Sequence, residues 1–423
     1  MTAGTSKLLE RRRRLMGSAY RLFYDNPVHL VRGEGVWLFD ADGRKFLDMY
    51  NNVAHVGHCH PHVTEAICEQ ARTLNTHTRY VHENILNLAE RLTGKLPGEL
   101  DTAMFCCTGS EANELALRIA RRCTGGTGII VTNFAYHGNT QAIYEISTDS
   151  IPADELPDYV VTVPAPDCYR GEFRGDDAGA QYAASVHGAI DMLASRGVKP
   201  AAFVVDTIIS SSGVVSPPPG YLSKVASIVR ESGALFVADE VQPGFGRTGK
   251  NFWGFEADGF VPDIVTMGKP MGNGHPLSAV VARNELVDGF ARHGRYFNTF
   301  GGNPVSCAAG LAVLDVIETE NLQQNALDVG QHIVDGLWNL AGRYSCIGDV
   351  RGSGLFLALE LVTDRDKRTP ATELANRVVN DLRDRGVLTG TIGPHANILK
   401  LRCPLVLTKS DADYFLQTLE DVL

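Results

Sequence analysis

Short apolar runs alternate with amphipathic segments through the middle of the chain, and this alternation restricts the possible folds more than any other feature. In segments such as 110–122 and 182–196, apolar residues recur at the spacing of one helix face. Strands and helices that alternate along a chain form βαβ units, so the pattern predicts an α/β protein with a mostly parallel central sheet covered by helices on both faces. The predicted strands are 103–107, 128–132, 159–163, 201–205, 234–238 and 264–267.

The two ends of the chain have a different pattern. Residues 37–48 predict a hairpin that turns at Asp42-Gly43. Residues 305–341 form a long helical region, which two hairpin-like segments and a last helix at 410–423 follow.

A chain of 423 residues is too long for one small core. We therefore predict a large domain at 56–305 and a smaller α+β domain built from both termini. Residues 1–55 are the N-terminal segment of that smaller domain, and residues 306–423 are its C-terminal part.

Composition and charge limit the classes of partner and location. The formal net charge is -10 and the one basic run, Arg11 to Arg14, is predicted to be the solvated face of a helix, so nucleic acid is disfavoured. No stretch approaches the ~18 apolar residues of a membrane span, and residues 1–16 lack the apolar segment of a secretory signal. The nine cysteines include no Cys-x-x-Cys pair, which favours a reduced, cytoplasmic protein.

A lysine and an acid each end a predicted buried strand. The run 264–267 leads into Gly268-Lys269, and the run 234–238 leads into Asp239. A lysine can form a Schiff base with an aldehyde cofactor, and an acid can hold a pyridinium nitrogen. The pair therefore predicts pyridoxal phosphate (PLP) as the cofactor, with Lys269 and Asp239 as the catalytic residues.

Two turns after predicted strands carry groups that suit the same cofactor. Gly109 and Ser110 open a predicted helix, where free N–H groups and the helix dipole favour a phosphate and where Ser110 is expected to be the cap. An ordinary strand–helix turn is the alternative. Tyr136 follows the next strand and can stack on a planar ring, although a buried structural tyrosine fits the same pattern.

Two other motifs suggest a nucleotide site and a metal site, but the residues around them argue against both. Residues 244–250 have P-loop spacing, but Asn251 replaces the Ser or Thr that would bind magnesium. His58, His60 and His62 lie too close together in sequence to converge easily on one metal ion, so no metal site is predicted.

Lys400 and Arg402 alternate with apolar residues in the run 398–404. On a strand the two cations point to the same side. They are either solvated or, if that side lines the active site, they attract an anionic substrate.

These segments together resemble the class III aminotransferases, a branch of the fold type I PLP enzymes. The resemblance extends from about residue 26 to residue 423. It depends on the segments 57–61, 109–112, 136–138, 239–242, 268–269 and 299–304, which occur in the family's order.

The resemblance implies roles around the cofactor ring. Lys269 carries the Schiff base and Asp239 holds the pyridine nitrogen. Tyr136 and Val241 cover the two ring faces, and Gln242 lies near the ring hydroxyl.

The resemblance also implies how the cofactor phosphate is held. Gly109 and Ser110 bind it within the chain, and Thr299 reaches the phosphate of the neighbouring subunit's cofactor. The family therefore implies a homodimer with shared active sites, and a tetramer stays open.

The segments 51–58, 167–171 and 267–276 resemble one branch in particular, the ethanolamine-phosphate and phosphohydroxylysine phospho-lyases. Lys400 stands where members that act on α-amino acids often place a carboxylate-binding arginine. A phosphate dianion needs several cationic or hydrogen-bonding groups. The residues predicted to bind the substrate are Lys400, Arg402, His275, Asn52, Tyr20 and Arg21.

The sequence thus predicts a phospho-lyase that acts on a small phosphorylated amine. The substrate expected is O-phosphoethanolamine, with acetaldehyde, ammonia and phosphate as products. The alternative is a class III aminotransferase of the alanine–glyoxylate or ω-amine type, which uses a keto-acid acceptor. Neither nucleic acid nor a membrane is an expected partner.

Overall fold

The computed structural model describes residues 3–423, which form three sheets and the helices around them. The helices are α1 Ala3–Met16, α2 Pro61–Thr73, α3 Glu83–Thr93, α4 Gly109–Thr124, α5 Gln141–Tyr144, α6 Ala178–Ser195, α7 Tyr221–Glu231, α8 Asn284–Ala291, α9 Pro304–Thr319, α10 Leu322–Arg343, α11 Thr372–Asp384 and α12 Lys409–Glu420. The strands are β1 Leu30–Glu34, β2 Trp37–Asp40, β3 Lys45–Asp48, β4 Thr102–Cys106, β5 Gly128–Thr132, β6 Val160–Val163, β7 Pro200–Asp206, β8 Leu235–Asp239, β9 Ile264–Met267, β10 Ser278–Ala282, β11 Ile347–Ser353, β12 Phe356–Asp364, β13 Thr369–Pro370, β14 Val387–Leu388, β15 Gly390–Ile392 and β16 Ile398–Leu401.

The central sheet has seven strands in the order β4-β10-β9-β8-β7-β5-β6. All six strands predicted from the apolar runs are present, and β6, β5, β7, β8 and β9 pair in parallel. The sequence analysis missed β10, which runs antiparallel between β4 and β9. Because β10 is antiparallel to both of its neighbours, β4 runs in the same direction as β9 and the other parallel strands. The predicted α/β fold with a mostly parallel sheet is confirmed.

Side chains that alternate along each central strand build a core on either face of the sheet. Ile129 and Val131 of β5 pack in one cluster with α4 and α8, whereas Ile130 packs in another with α6 and α7. This is the period of two expected for a strand that is buried on both faces. The helices on both faces that the sequence predicted are therefore present.

The smaller sheets join the two ends of the chain. Strands β1, β2 and β3 form an antiparallel meander, and β14 from the C-terminal part pairs in parallel with β3. The other sheet, β11-β12-β16-β15, is antiparallel, with β13 added to β12. The hairpin predicted at 37–48 is present as β2 and β3. The exact domain limits stay a prediction.

The long helical region predicted at 305–341 is present and consists of two helices. The chain leaves α9 through Asn321, whose φ of 52° is left-handed, and α10 then begins at Leu322. Asparagine accepts this conformation more readily than most residues. No helix within residues 3–423 is both long enough and apolar enough to cross a membrane.

A buried arginine ties the loop after β8 to the β11–β16 sheet. The Arg247 guanidinium donates hydrogen bonds to the carbonyl oxygens of Leu355 at 2.9 Å and Cys403 at 2.8 Å, and to Nδ1 of His55 at 2.9 Å. Because Nδ1 of His55 accepts, its Nε2 carries the proton and donates to the carbonyl of Phe245 at 2.8 Å. Burial lowers the pKa of Arg247 to about 10, and its neutral acceptors hold it in place without a direct carboxylate partner.

We expect Arg247→Ala to lower the free energy of unfolding by roughly 2–5 kcal/mol, because buried carbonyls left without a donor cost about 1–3 kcal/mol each. Urea denaturation followed by tryptophan fluorescence measures this loss. The matched control is Arg32→Ala, which removes an arginine from a pair with Glu34 whose side chains are 53% and 76% exposed. That control should change stability by less than about 1 kcal/mol, and equal losses for both variants would contradict the assignment.

Candidate active site

A cavity of about 320 Å³ opens at the carboxyl ends of the central strands. In parallel sheets this edge is where loops converge and ligands bind. The cavity brings together many of the residues predicted from the sequence. Those in its lining are Gly109, Ser110, Tyr136, Asp239, Val241, Gln242, Lys269 and His275.

The start of α4 forms one wall of the cavity. Thr108 is the N-cap, since its hydroxyl accepts from the N–H of Glu111 at 3.2 Å and the Glu111 carboxylate accepts from the N–H of Thr108 at 3.0 Å. The expectation that Ser110 caps this helix is therefore wrong. The Ser110 hydroxyl instead donates to Oδ1 of Asn139 at 3.0 Å and accepts from its N–H at 3.1 Å. This leaves a helix N-terminus and a serine hydroxyl in the cavity wall, which is a seat for an anion.

Glycine is needed where the walls approach each other. A Cβ added at Gly109 would lie 3.0 Å from Cγ1 of Val241, and one added at Gly138 would lie 2.4 Å from the Ser110 hydroxyl. Gly138 also has a φ of 141°, which side chains rarely adopt. The α4 turn therefore packs directly against the loop after β8 and the loop after β5.

Asp239 ends β8 and is 4% exposed. Its Oδ2 accepts from Nδ2 of Asn113 at 2.9 Å and from Nδ1 of His137 at 2.8 Å, and its Oδ1 accepts from the N–H of Val241 at 3.1 Å. These donors hold the carboxylate in one orientation at the cavity floor. The sequence analysis assigned no role to Asn113 or His137. The signal for His137 was its place beside Tyr136, and the signal for Asn113 was its position one helical turn after Gly109.

Lys269 follows β9 and opens a short 3-10 helix. Its Nζ makes no hydrogen bond or ion pair within residues 3–423. Burial lowers the pKa of Lys269, the positive charge of Arg402 lowers it further, and the carboxylates of Asp239 and Asp206 oppose both effects. A lowered pKa raises the fraction of unprotonated amine near neutral pH, and only the unprotonated amine can attack an aldehyde or accept a proton.

Lys400 and Arg402 point to the same side of the β16 segment, as the alternation predicted. Both converge on Oε1 of Gln242, to which Lys400 Nζ donates at 3.3 Å and Arg402 also donates. They are 2% and 8% exposed, so the alternative of a solvated pair is wrong. Neither cation has a carboxylate within ion-pair distance in the described part of the chain. Burial and mutual repulsion hold the pKa of Lys400 well below its ordinary value.

A second cavity of about 350 Å³ adjoins the first on the other side of Lys269. Asn52 and Arg402 lie in its lining, and both hold a buried donor, Nδ2 of Asn52 and Nε of Arg402, that has no partner among residues 3–423. Unpaired buried donors are costly, so their presence at a cavity wall indicates a ligand that accepts hydrogen bonds.

The remaining predicted residues differ in their positions. His275 lies in the wall of the first cavity, where its Nε2 is 2.9 Å from the Ser306 hydroxyl and burial lowers its pKa. Tyr20 is 62% exposed and Arg21 is exposed, and neither is among the described residues that line the two cavities. Thr299 is exposed as well and lies outside both linings. Within a single chain the structure does not bring these three to the site.

The three neighbouring histidines do not converge either. His58 lies 2.8 Å from Asp48, His60 lies 3.0 Å from Glu320, and His62 lies 3.1 Å from Asp315. Each histidine therefore has its own acidic partner. Residues 3–423 contain no group of three or more His, Cys, Asp or Glu side chains that could hold a metal ion.

The donor set of the first cavity fits PLP. An unpartnered amine suits the aldehyde, an oriented carboxylate suits the pyridine nitrogen, and the start of α4 suits the phosphate. The apolar side chain of Val241 and the ring of Tyr136 also line the cavity, and their places on the two faces of the cofactor ring stay a prediction.

Comparisons with known proteins agree with this chemistry. The family model described as "Aminotransferase class-III" matches residues 22–423. A Drosophila melanogaster protein named "Alanine--glyoxylate aminotransferase 2-like" is 43% identical, over 97% of this chain and 85% of that protein. A Caenorhabditis elegans protein named "Ethanolamine-phosphate phospho-lyase homolog 1" is 42% identical, over 99% of this chain and 93% of that protein.

A solved structure is equally similar. It is described as a phospholyase from Arthrobacter in complex with phosphoethanolamine, and it superposes with a TM-score of 0.94 at 45% identity, over 98% of this chain and 99% of that one. The fold type I architecture is therefore confirmed. PLP is the cofactor that the family and these neighbours imply.

We expect Gly109→Ala to weaken PLP binding about tenfold, because the new methyl group would push Val241 into the cavity. Titration of the apoprotein with PLP, followed by the cofactor's absorbance, measures the dissociation constant. Gly98→Ala is the matched control, since a Cβ added there meets nothing within 4 Å. Equal affinities for the wild-type protein and Gly109→Ala would show that this close approach does not shape the cofactor site.

Proposed function

This chain belongs to the class-III aminotransferase family, and from that premise we propose that it is a PLP-dependent phospho-lyase. Its proposed substrate is a small phosphorylated amine, O-phosphoethanolamine, which reacts with water to give acetaldehyde, ammonia and inorganic phosphate. The observation that carries this proposal is the pair of buried cations, Lys400 and Arg402, beside Lys269.

The electrostatics of the site favour a doubly charged anion. Two buried positive charges that share one neutral acceptor, Oε1 of Gln242, repel each other and lose their hydration. A phosphate dianion has enough oxygens to accept from the unpaired donors Arg402 Nε and Asn52 Nδ2 in the wall of the second cavity. Lys400 lines neither cavity, but it shares the Gln242 oxygen with Arg402 and adds its charge next to that wall. A carboxylate supplies only one negative charge and two oxygens.

The arrangement also suits the reaction. PLP, when bound, supplies an electron sink that stabilises negative charge on the carbon next to the substrate nitrogen. The Lys269 amine lines both cavities and would take the proton from that carbon, and its lowered pKa increases the fraction of unprotonated amine that is available as the base. Lys400 and Arg402 neutralise the charge that collects on the departing phosphate, which makes it a better leaving group.

The second cavity favours an amine without a carboxylate. Its wall is mainly apolar and its charged lining residues are Asp48, Lys269 and Arg402. Asp48 is already engaged by His58 at 2.8 Å. If Lys400 and Arg402 bind the phosphate and Lys269 serves the cofactor, no further cation in this wall is left for a carboxylate, which supports phosphoethanolamine over phosphohydroxylysine. The apolar residues of the wall are Leu22, Phe23, Tyr24, Pro27, Val28, Leu30, Leu38, Tyr50, Val53 and Leu388.

A transaminase of the alanine–glyoxylate or ω-amine type is the second candidate. The Drosophila relative named "Alanine--glyoxylate aminotransferase 2-like" favours it. Lys400 and Arg402 would then bind the carboxylate of a keto acid. The two reactions differ in whether a keto acid is consumed.

The complete site is proposed to form in a homodimer, and a tetramer built from such dimers is compatible with this proposal. Thr299 lies in an exposed segment with Phe297 and Phe300, which are 39% and 69% exposed. Apolar exposure of this kind is typical of a protein interface. In the dimer, Thr299 would reach the phosphate of the partner's cofactor.

A cytoplasmic location is also proposed. All nine cysteines are free thiols, which suits a reducing compartment. Cell fractionation tests this location.

Phosphate release distinguishes the two candidate functions. We expect the wild-type holoenzyme to release inorganic phosphate and acetaldehyde from phosphoethanolamine without any keto acid. Lys269→Ala should release neither at a measurable rate, because it lacks the base. A requirement for pyruvate or glyoxylate would establish the transaminase, and turnover by Lys269→Ala would show that another group removes the proton.

Lys400→Ala should raise the KM for phosphoethanolamine roughly 10–100-fold, since one hydrogen bond to a charged group is worth about 1.5–3 kcal/mol. The affinity for a phosphate-free amine such as ethanolamine should change less than about threefold, as measured by the change in cofactor absorbance on binding. Lys45→Ala is a suitable control, because that lysine lies on β3 and stacks on Trp37 at 4.2 Å. An equal weakening of phosphoethanolamine and ethanolamine binding in Lys400→Ala would show that Lys400 does not bind the phosphate.

A further inference from the structure

A chain of hydrogen bonds connects a buried acid to the two cations. Oδ2 of Asp206, the last residue of β7, accepts from both the N–H and the hydroxyl of Ser210, the former at 3.1 Å. The Ser210 hydroxyl accepts in turn from Nε2 of Gln242 at 2.5 Å. Oε1 of Gln242 accepts from Lys400 and Arg402. Asp206, Ser210 and Gln242 are all buried.

The direction of each bond in this chain is determined by chemistry. The N–H of Ile208 and the N–H of Ser210 can only donate, at 3.1 Å each, so Asp206 is surrounded by donors and fits as a carboxylate. The Ser210 proton is therefore directed at Asp206, and the hydroxyl oxygen accepts from an amide N–H. Only one orientation of Gln242 satisfies this, and it presents the amide oxygen to the cations.

We propose that Asp206 and Ser210 are positioning residues that lock the Gln242 amide and so hold Lys400 and Arg402 ready for the phosphate of the substrate. This inference rests on the proposed phosphate-binding function. If the Gln242 amide were rotated by about 180°, its NH2 group instead of its oxygen would face the two cations and repel them. Ser210 prevents this, although it lines neither cavity at the site.

Besides orienting the Gln242 amide through Ser210, Asp206 affects the protonation of Lys400 through its negative charge. The charged groups that face Lys400 are Arg402 and Lys269, which disfavour its protonation, and Asp206 and Asp149, which favour it. Its neutral neighbours are Gln242 and the ring of Phe356, 5.4 Å away. Asp206 therefore helps to keep Lys400 protonated in the absence of substrate. As the pH rises, Lys400 loses its proton and phosphate binding weakens, and loss of the Asp206 charge moves this weakening to lower pH.

The test uses inorganic phosphate as the probe, with isothermal titration of the holoenzyme, alongside phosphoethanolamine kinetics. Ser210→Ala should weaken phosphate binding and lower kcat/KM for phosphoethanolamine, each about tenfold. Asp206→Asn keeps an acceptor but removes the charge. Its affinity for phosphate relative to the wild type should fall as the pH rises, by up to about tenfold, because loss of the Asp206 charge lowers the pKa of Lys400. The ratio to wild type at each pH cancels the titration of phosphate itself.

Ser212→Ala is the matched control from the same loop. The hydroxyl of Ser212 donates to the carbonyl of Asn133 at 2.9 Å and takes no part in the hydrogen bonds that join Asp206, Ser210 and Gln242. This variant should bind phosphate like the wild type. The inference would be overturned if Ser210→Ala bound phosphate as tightly as the wild type, or if the affinity of Asp206→Asn relative to the wild type did not change with pH. In either case, phosphate release by the wild-type enzyme would leave the proposed function intact. A wild-type holoenzyme that neither binds phosphate nor releases it would overturn both.

Discussion

Parallel pairing of β8 with β9 is the interaction on which the site depends. Asp239 lies opposite Thr266 in this pairing, and Lys269 follows three residues later. The acid and the amine therefore leave the same edge of the sheet from two neighbouring strands, which are about 4.8 Å apart. A shift of register by one residue would turn Asp239 to the other face of the sheet.

A cluster of buried cations is the second organising feature. Burial lowers the pKa values of Lys269, Lys400 and Arg402, the charge of Arg402 lowers those of both lysines further, and Lys269 lowers that of Lys400. The pKa of the nearby Asp206 is raised by its own burial and by the charge of Asp239, and Ser210 and Lys400 oppose this rise. Lys400 and Arg402 thus make their direct contact with a neutral amide, although carboxylates lie nearby. The phosphate of the proposed substrate would give these cations a directly bound anion.

Two features that the sequence analysis did not predict correctly are the N-cap of α4 and strand β10. Thr108 rather than Ser110 caps α4, because Glu111 stands at the third helical position and completes a capping box with Thr108. The hydroxyl of Ser110 is then left to contact Asn139. Likewise, β10 is a short apolar strand that follows Pro276, and its antiparallel direction depends on the space between β4 and β9, which local patterns do not reveal.

The sequence by itself determined the α/β fold and the cofactor and predicted the lysine and the acid that would hold it, because apolar periodicity and a few residues at strand ends carry that information locally. It also placed Lys400 and Arg402 on one side of a strand. Only the tertiary structure decided that this side is buried, that both cations meet Gln242, and that Asp206 and Ser210 orient that amide. These contacts join residues from β7, the loop after β8 and β16, which are far apart in the chain, so the register and packing of separate sheets had to bring them together.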